Sequence, residues 1–88
     1  MRQNPDFILS DVAGSHILVP VGKSSVNFNA VISLNEMGRE LWTLLEKEIN
    51  AEEMLASVLA EYDVSEAQAK ADIDRFLETL REIGAIED

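Results

Sequence analysis

The residues that could carry out chemistry are few and scattered in this sequence of 88 residues. His16 is the only histidine and there is no cysteine, which excludes disulfides, thiol nucleophiles and thiolate metal sites. The pair Ser24-Ser25 has no general base beside it, and a serine nucleophile needs one. There is no glycine-rich phosphate loop. We therefore predict a protein that is not an enzyme, with His16 as a surface or packing residue.

Carboxylate pairs are the remaining candidates for a chemical site. Glu52-Glu53 and the pair Asp72 and Asp74 lie in segments that are dense with other carboxylates. Neither pair is accompanied by the histidines or carbonyl-rich loops that usually complete a metal site. These side chains are expected to form solvated helix surfaces, and we predict no metal and no cofactor.

The charge distribution narrows the class of partner. The formal net charge is −10, and residues 35–88 carry all of the excess, with 5 basic and 15 acidic side chains. Such a surface repels nucleic acid, whose binding requires lysines and arginines to replace counterions. No apolar run approaches the roughly 18–20 residues of a membrane span, and the N-terminus lacks the pattern of a signal peptide. The expected location is the cytoplasm.

The first third of the chain has the pattern of three short β-strands. Two apolar segments, at about 7–12 and 16–21, are separated by the turn-forming residues 13–15. A third segment, at about 26–32, alternates with a period of two. Short connections predict an antiparallel meander whose edges are the first and third strands. Pro20 lacks an N–H donor and is expected at a strand end or a bulge.

The rest of the chain is predicted to form three helices, at about 34–48, 51–62 and 66–83. Ser33 and Ser65 are each followed three residues later by Glu or Gln, which is the spacing of a capping box. Asn50 is a third candidate cap. Gly84 is a natural end for the last helix.

Each helix carries apolar side chains at helical spacing, which indicates packing against a core. In the last helix this stripe consists of Ala69, Ile73, Phe76, Leu77, Leu80 and Ile83. Three strands followed by three helices predict one α+β domain over residues 1–88, with the helices covering one face of the sheet.

The third strand is the most informative feature for function. An edge strand presents unpaired N–H and C=O groups, and proteins usually protect it with Lys, Pro or a bulge. Residues 26–32 contain neither charge nor proline. Three explanations stay open: the asparagines protect the edge, a helix or second subunit covers it, or a guest strand of another polypeptide adds to it.

The helical part of the chain carries an ordered set of residues that matches a known family. The set is Leu34-Asn35-Glu36-x-Gly38, Leu41-Trp42-x-Leu44-Leu45, Tyr62 and Asp72-Ile73-x-x-Phe76-Leu77-x-x-Leu80-x-x-x-Gly84-x-Ile86. With the order of elements, these residues resemble the PqqD family, the peptide-recognition elements of ribosomal peptide-modification pathways. The resemblance covers about residues 6–87. Residues 7–21 are closer to stand-alone members of other pathways than to members that serve pyrroloquinoline quinone synthesis, so the resemblance does not predict that product.

The resemblance implies a winged-helix-like domain that binds the leader region of a precursor peptide. The leader would add as an antiparallel strand to the third strand and lie in the groove between that strand and the last helix. The domain would then present the peptide to a modifying enzyme, commonly a radical SAM protein. On this sequence the guest would pair with Val26, Asn27, Phe28, Asn29, Ala30, Val31 and Ile32.

Either flank of the last helix could form the second wall of that groove. One flank, beside Ile73, consists of Lys70, Asp74, Leu77 and Arg81, and the other of Asp72, Thr79 and Ile83. We favour the first flank, because Leu77 offers an apolar contact and the two cations could pair with an acidic leader.

Two other classes of function fit the same pattern of elements. A winged-helix DNA-binding regulator would share the fold, but acidic side chains outnumber the basic ones on the last helix. A dimerisation module would use the third strand to pair with a copy of itself. The mass of the protein in solution separates this last possibility from peptide binding, because a dimer through this strand would hide the peptide site.

Overall fold

The structure is a computed structural model that describes residues 1–22 and 31–88. A three-stranded antiparallel sheet, β2-β3-β4, is followed by three helices, which confirms the predicted α+β class. A separate two-stranded ladder joins β1 to β5. In chain order the elements are β1 (Arg2–Gln3), β2 (Phe7–Val12), β3 (Ser15–Pro20), β4 (Ile32–Leu34), α1 (Glu36–Leu44), α2 (Ala51–Glu61), α3 (Glu66–Ile83) and β5 (Ile86–Glu87).

A two-residue turn joins β2 to β3 and sets their register. Ala13 and Gly14 both have positive φ, 51° and 82°, as a type I′ turn requires. The hairpin is paired along its whole length, from Val12 opposite Ser15 to Phe7 opposite Pro20. The first two predicted strands are therefore confirmed to within one residue, and Pro20 ends its strand as expected.

The third strand of the sheet is β4. It pairs with β3, with Leu34 opposite His16 and Ile32 opposite Leu18. Most of the predicted third strand falls on residues 23–30, which lie outside the described residues. In the described part, the strand continues to Leu34, two residues beyond the predicted end.

The helices begin at side-chain caps, but the first cap differs from the prediction. Asn35 caps α1, since its Oδ1 accepts a hydrogen bond of 2.7 Å from the N–H of Gly38. The prediction that Ser33 caps this helix is wrong, because Ser33 is part of β4 and pairs with Ile17. The other two caps are Asn50, in a complete capping box, and Ser65, whose side chain accepts from the N–H of Gln68.

Helix α1 ends four residues earlier than predicted because β1 takes over its hydrogen bonds. In a longer helix the Leu45 carbonyl would accept a hydrogen bond from the N–H of Ile49. Here it accepts one from the N–H of Gln3 instead, at 2.8 Å. The N–H of Ile49 donates instead to the carbonyl of Met1 at 3.0 Å. One helical bond is thus replaced by two bonds to the N-terminal residues, one to Gln3 of β1 and one to Met1 just before it. By contrast, α3 runs over the predicted residues 66–83 without interruption.

The core lies between one face of the sheet and the three helices. Phe7 and Leu18 contribute from the sheet, where alternate residues point to the same side. Trp42 of α1 is only 3% exposed. The buried apolar residues are Phe7, Leu18, Leu41, Trp42, Leu45, Met54, Val58, Ala69, Ile73, Leu77, Leu80, Ala85 and Ile86.

The ladder between β1 and β5 was not predicted. Arg2 lies opposite Glu87 and Gln3 opposite Ile86, in antiparallel register. The side chain of Gln3 donates to the carbonyl of Trp42 at 2.7 Å, which ties β1 to the end of α1. Strands of two residues carry no readable periodicity, so sequence patterns cannot reveal them.

Candidate functional site

Within the described residues, the edge of β4 on the side away from β3 has no neighbouring strand. Among the described residues, β3 is its only strand partner. The backbone groups of Ile32–Leu34 that point away from β3 are therefore available to a further strand in this part of the chain. Helix α3 lies across from this edge, and a groove separates the two.

The groove is an open cavity of about 330 Å³. That volume is near the lower limit for small-molecule sites, which run from roughly 300 to 1,000 Å³. An open groove beside a strand edge suits a few side chains of an extended segment better than it suits an enclosed ligand. Its strand wall is formed by Ile32, Ser33, Leu34 and Asn35, its floor by Met37, Gly38 and Leu41, and its helix wall by Asp72, Arg75, Phe76, Thr79 and Leu80.

Gly38 allows the walls of the groove to approach each other. A Cβ atom at this position would lie 3.2 Å from Asn35 Oδ1, 3.3 Å from Leu34 Cβ and 3.5 Å from Phe76 Cε1. A larger residue would therefore push against the cap of α1, the end of β4 and the ring on α3. The absence of a side chain, and not an unusual backbone angle, explains the glycine here.

Phe76 and Arg75 are the principal side chains of the helix wall. Phe76 is only half-buried, so part of its ring is available to a guest. Arg75 is exposed, and its guanidinium makes no hydrogen bond or ion pair within the described residues. Asp72, one turn earlier, is engaged by Gln68, whose Nε2 donates to Asp72 Oδ1 at 2.9 Å. The wall therefore combines an apolar ring with a cation that is unpaired in the described part of the chain.

The residues that were predicted to pair with the guest strand are only partly described. Val26, Asn27, Phe28, Asn29 and Ala30 lie outside the described residues. Val31 comes just before β4 and is 58% exposed, and Ile32 is on the strand wall of the groove.

The structure brings the second flank of α3, and not the favoured first flank, to the groove. Asp72 and Thr79 line the groove, whereas Lys70 and Asp74 line a depression against Leu55 of α2. Arg81 lies elsewhere, with its Nε 3.4 Å from Asp88 Oδ2.

The apolar members of the predicted site also differ from the expectation. Ile73 and Leu77 are 1% and 2% exposed, so they are core side chains and offer little surface to a guest. Ile83 is half-buried against the core and does not line the groove. The sequence reasoning missed Arg75 as a wall residue and placed Phe76 only in the core stripe. The spacing of Asp72, Arg75, Phe76 and Thr79, at i, i+3, i+4 and i+7, places all four on one face of the helix. This spacing could have identified the wall from the sequence.

His16 holds together three elements at the end of the sheet. Its Nδ1 lies 2.5 Å from Asp11 Oδ1 on β2, and its Nε2 lies 3.0 Å from Glu36 Oε1 at the start of α1. Arg39 on α1 reaches the same Asp11 carboxylate, with Nη2 3.2 Å from Oδ2. His16 therefore has a structural role next to the end of β4.

The charges around this ring shift two pKa values in opposite directions. The hydrogen bonds that His16 donates to the carboxylates of Asp11 and then Glu36 raise the pKa of His16 above its ordinary value of 6.5. The hydrogen bonds from His16 and then Arg39 lower the pKa of Asp11 below 3.8. Both shifts favour the charged forms, as expected for an exposed ion-pair network.

In residues 1–22 and 31–88, no three His, Asp or Glu side chains converge as metal ligands would. Over the same residues, no helix has the length and apolar composition to cross a membrane.

Comparisons with known proteins give a family and two structural neighbours. The sequence profile described as coenzyme PQQ synthesis protein D (PqqD) matches residues 15–86. Among curated proteins, none matches the chain significantly. One similar structure is TbiB1 in complex with the TbiA(beta) leader peptide, with 22% identity, a TM-score of 0.78, and coverage of 99% of this chain and 95% of that chain. Another is a lasso peptide synthetase B1 complexed with the leader peptide, with 20% identity, a TM-score of 0.76, and coverage of 99% and 96%.

Proposed function

We propose, from the premise that this chain belongs to the PqqD family, that it binds the leader segment of a ribosomally made precursor peptide by β-strand addition. The observation that supports the proposal best is the groove that runs beside the open edge of β4. The two structural neighbours, which share the fold, are both described as complexes with leader peptides. The module itself carries out no chemistry and needs no cofactor.

The binding mode follows from the two walls of the groove. The guest strand pairs with the outer edge of β4 and, as in the sequence-based proposal, with residues 26–31 before it. Every second guest side chain then points to the same face, and apolar ones rest on Phe76 and Met37. We replace the first flank of α3 with the second in the proposed contact set, because Asp72 and Thr79 line the groove.

The expected affinity is moderate. A guest strand of about six residues makes three or four ladder hydrogen bonds, each worth roughly 0.5–1.5 kcal/mol net. Two apolar anchors add about 1.5–3 kcal/mol each. Ordering a flexible peptide and restricting its free motion take back several kcal/mol. The balance corresponds to a dissociation constant around micromolar, near 8 kcal/mol of binding free energy.

The bound peptide is presented to a modifying enzyme, for which we keep the radical SAM class that the family resemblance implies. The site of action is the cytoplasm, where precursor peptides are synthesised, and residues 1–88 act as one domain. Co-purification with the enzymes encoded beside the gene tests the class of partner. A radical SAM protein retained together with a short precursor supports it, and retention of an enzyme of another class contradicts it.

A backbone-amide titration tests the site. The probe is a synthetic peptide taken from a display selection of random 14-residue sequences on the purified protein. We expect the largest chemical-shift changes at Ile32–Leu34 and at residues 72–79. Changes confined to β2 and α2, with β4 unaffected, would rule out the groove as the peptide site.

Sedimentation measurements separate peptide binding from dimerisation through β4. We expect a monomer that takes up one peptide per chain. A stable dimer that dissociates only when peptide is added would mean that the open edge pairs with a second copy. A dimer that excludes the peptide altogether would contradict the proposed function.

A further inference from the structure

Arg75 differs from the other arginines of the chain in having no side-chain partner among residues 1–22 and 31–88. Arg2 pairs with Glu87, Arg39 with Asp11 and Arg81 with Asp88. Arg75 makes no such contact within the described residues, although the chain has a net charge of −10 and Asp72, Asp74 and Glu78 lie within three positions of it in the sequence.

The position of Arg75 is as informative as its lack of a partner. It is the only cation among the residues that line the groove within the described part of the chain. The nearest groove carboxylate, Asp72, accepts a hydrogen bond from Gln68 and forms no ion pair with Arg75. Phe76 follows directly in the chain and faces the same groove. A guanidinium and an aromatic ring are thus presented side by side to whatever lies against β4.

We infer, on the basis of the proposed function, that Arg75 selects guest peptides carrying Asp or Glu close to an apolar anchor. A guanidinium matches a carboxylate with two parallel hydrogen bonds, which gives both strength and orientation. Side chains on one face of an extended guest recur every second residue. The recognised pattern is therefore a large apolar residue, which contacts Phe76, and a carboxylate about two positions away, which pairs with Arg75.

The acidic surface of the domain does not cancel this preference. Interactions between exposed charges fade beyond a Debye length of about 8 Å at physiological ionic strength. Contact with Arg75 therefore outweighs the carboxylates outside the groove once the guest is bound, and Asp72, the carboxylate that lines the groove, is engaged by Gln68. The carboxylates outside the groove slow the approach of an acidic guest, and the contact pair strengthens its retention.

Selection of random 14-residue peptides on three forms of the protein tests the inference. The forms are the parent, Arg75→Glu, and Lys70→Glu as a control with the same change of charge on the same helix, outside the groove. We expect Asp or Glu near an apolar residue in peptides from the parent and from the control. Peptides from Arg75→Glu are expected to lose this enrichment and to gain Lys or Arg.

Fluorescence anisotropy with one selected peptide gives the magnitude. Arg75→Glu and the milder Arg75→Gln should weaken binding by roughly tenfold or more, because a charged hydrogen-bonded pair is lost. Lys70→Glu should change affinity by less than about twofold, in line with screening of a charge outside the contact. Replacing the peptide carboxylate by Lys should restore binding to Arg75→Glu and weaken binding to the parent.

The outcomes separate this inference from the proposed function. If selected peptides shift the amides of Ile32–Leu34 but show no acidic preference, and Arg75→Glu binds them as the parent does, the inference is overturned and the proposed function stands. If no selected peptide perturbs β4 or residues 72–79, the proposed function fails and the inference fails with it.

Discussion

Phe76 and Leu77 are neighbours on α3 with opposite orientations, and their truncation should separate binding from folding. Phe76 is half-buried and lines the groove, whereas Leu77 is 2% exposed and lies in the core. We expect Phe76→Ala to weaken peptide binding and to cost a moderate amount of stability. Leu77→Ala should cost at least as much stability and leave the affinity of the folded protein unchanged.

The magnitudes follow from burial. Removing a fully buried Phe side chain costs about 3–5 kcal/mol, so a half-buried ring should cost about 1.5–2.5 kcal/mol. Leu77→Ala should cost about 2–5 kcal/mol. The part of the Phe76 ring that a guest covers is worth about 1 kcal/mol, half of a full burial, which corresponds to a roughly fivefold weaker complex.

Thermal melts and fluorescence anisotropy measure the two effects. For a domain of this size, each kcal/mol lowers the melting temperature by about 4–8 °C. Affinity is measured well below the midpoint of the less stable variant, and Leu77→Val replaces Leu77→Ala if the alanine variant does not fold. Parent-like binding by Phe76→Ala would show that this ring does not form the wall. Equal losses of affinity in the two variants would show that the groove is inseparable from core packing.

Three further changes test other parts of the structure. Ala13→Asn should raise the free energy of unfolding by about 0.5–1 kcal/mol in urea melts, because Asn tolerates the positive φ at which Ala13 is strained; no gain would argue against this turn. Gly38→Val should lower stability by about 1–3 kcal/mol and narrow the groove, and parent-like melts and binding would contradict the close contacts of Gly38. The pKa of His16 is higher in the folded state than its ordinary value of 6.5. The stabilisation by protonated His16 is therefore complete below pH 6.5 and is lost as the pH rises through the folded-state pKa. The stability difference between parent and His16→Gln should therefore shrink as pH rises from about 6 into the alkaline range, and a difference that grows with pH would refute the charged network.

Features set by neighbouring residues could be predicted from the sequence. The Ala13-Gly14 turn, the cap at Ser65 and the whole length of α3 depend on contacts within a few positions, and the sequence predicts them closely. The resemblance of the helical residues to the PqqD family was confirmed for the same reason, because it depends on an ordered set of local patterns.

Features set by distant contacts could not be predicted. The apolar stripe of α3 has a charged flank on each side, and the position of β4 and α1 decides which flank faces the groove. Ser33 and Asn35 are both good caps, and only the pairing of Ser33 with Ile17 shows which of them starts the helix. The early end of α1 depends on Gln3, more than 40 positions away in the chain.

The ladder between β1 and β5 has a consequence for how this domain can be combined with others. Antiparallel strands hold opposite residues about 4.5–5.5 Å apart, so Arg2 and Glu87 leave the domain at nearly the same point. Residues 2–87 could therefore be inserted into a single surface loop of a host protein. The two ends of the cut loop would need to be separated by only the distance between neighbouring strands. Fusion of a second domain at one end is sterically less favourable. A domain attached at Arg2 would lie close to any segment attached after Glu87. An inserted copy would keep the groove accessible, since the described residues that line the groove include none from β1 or β5.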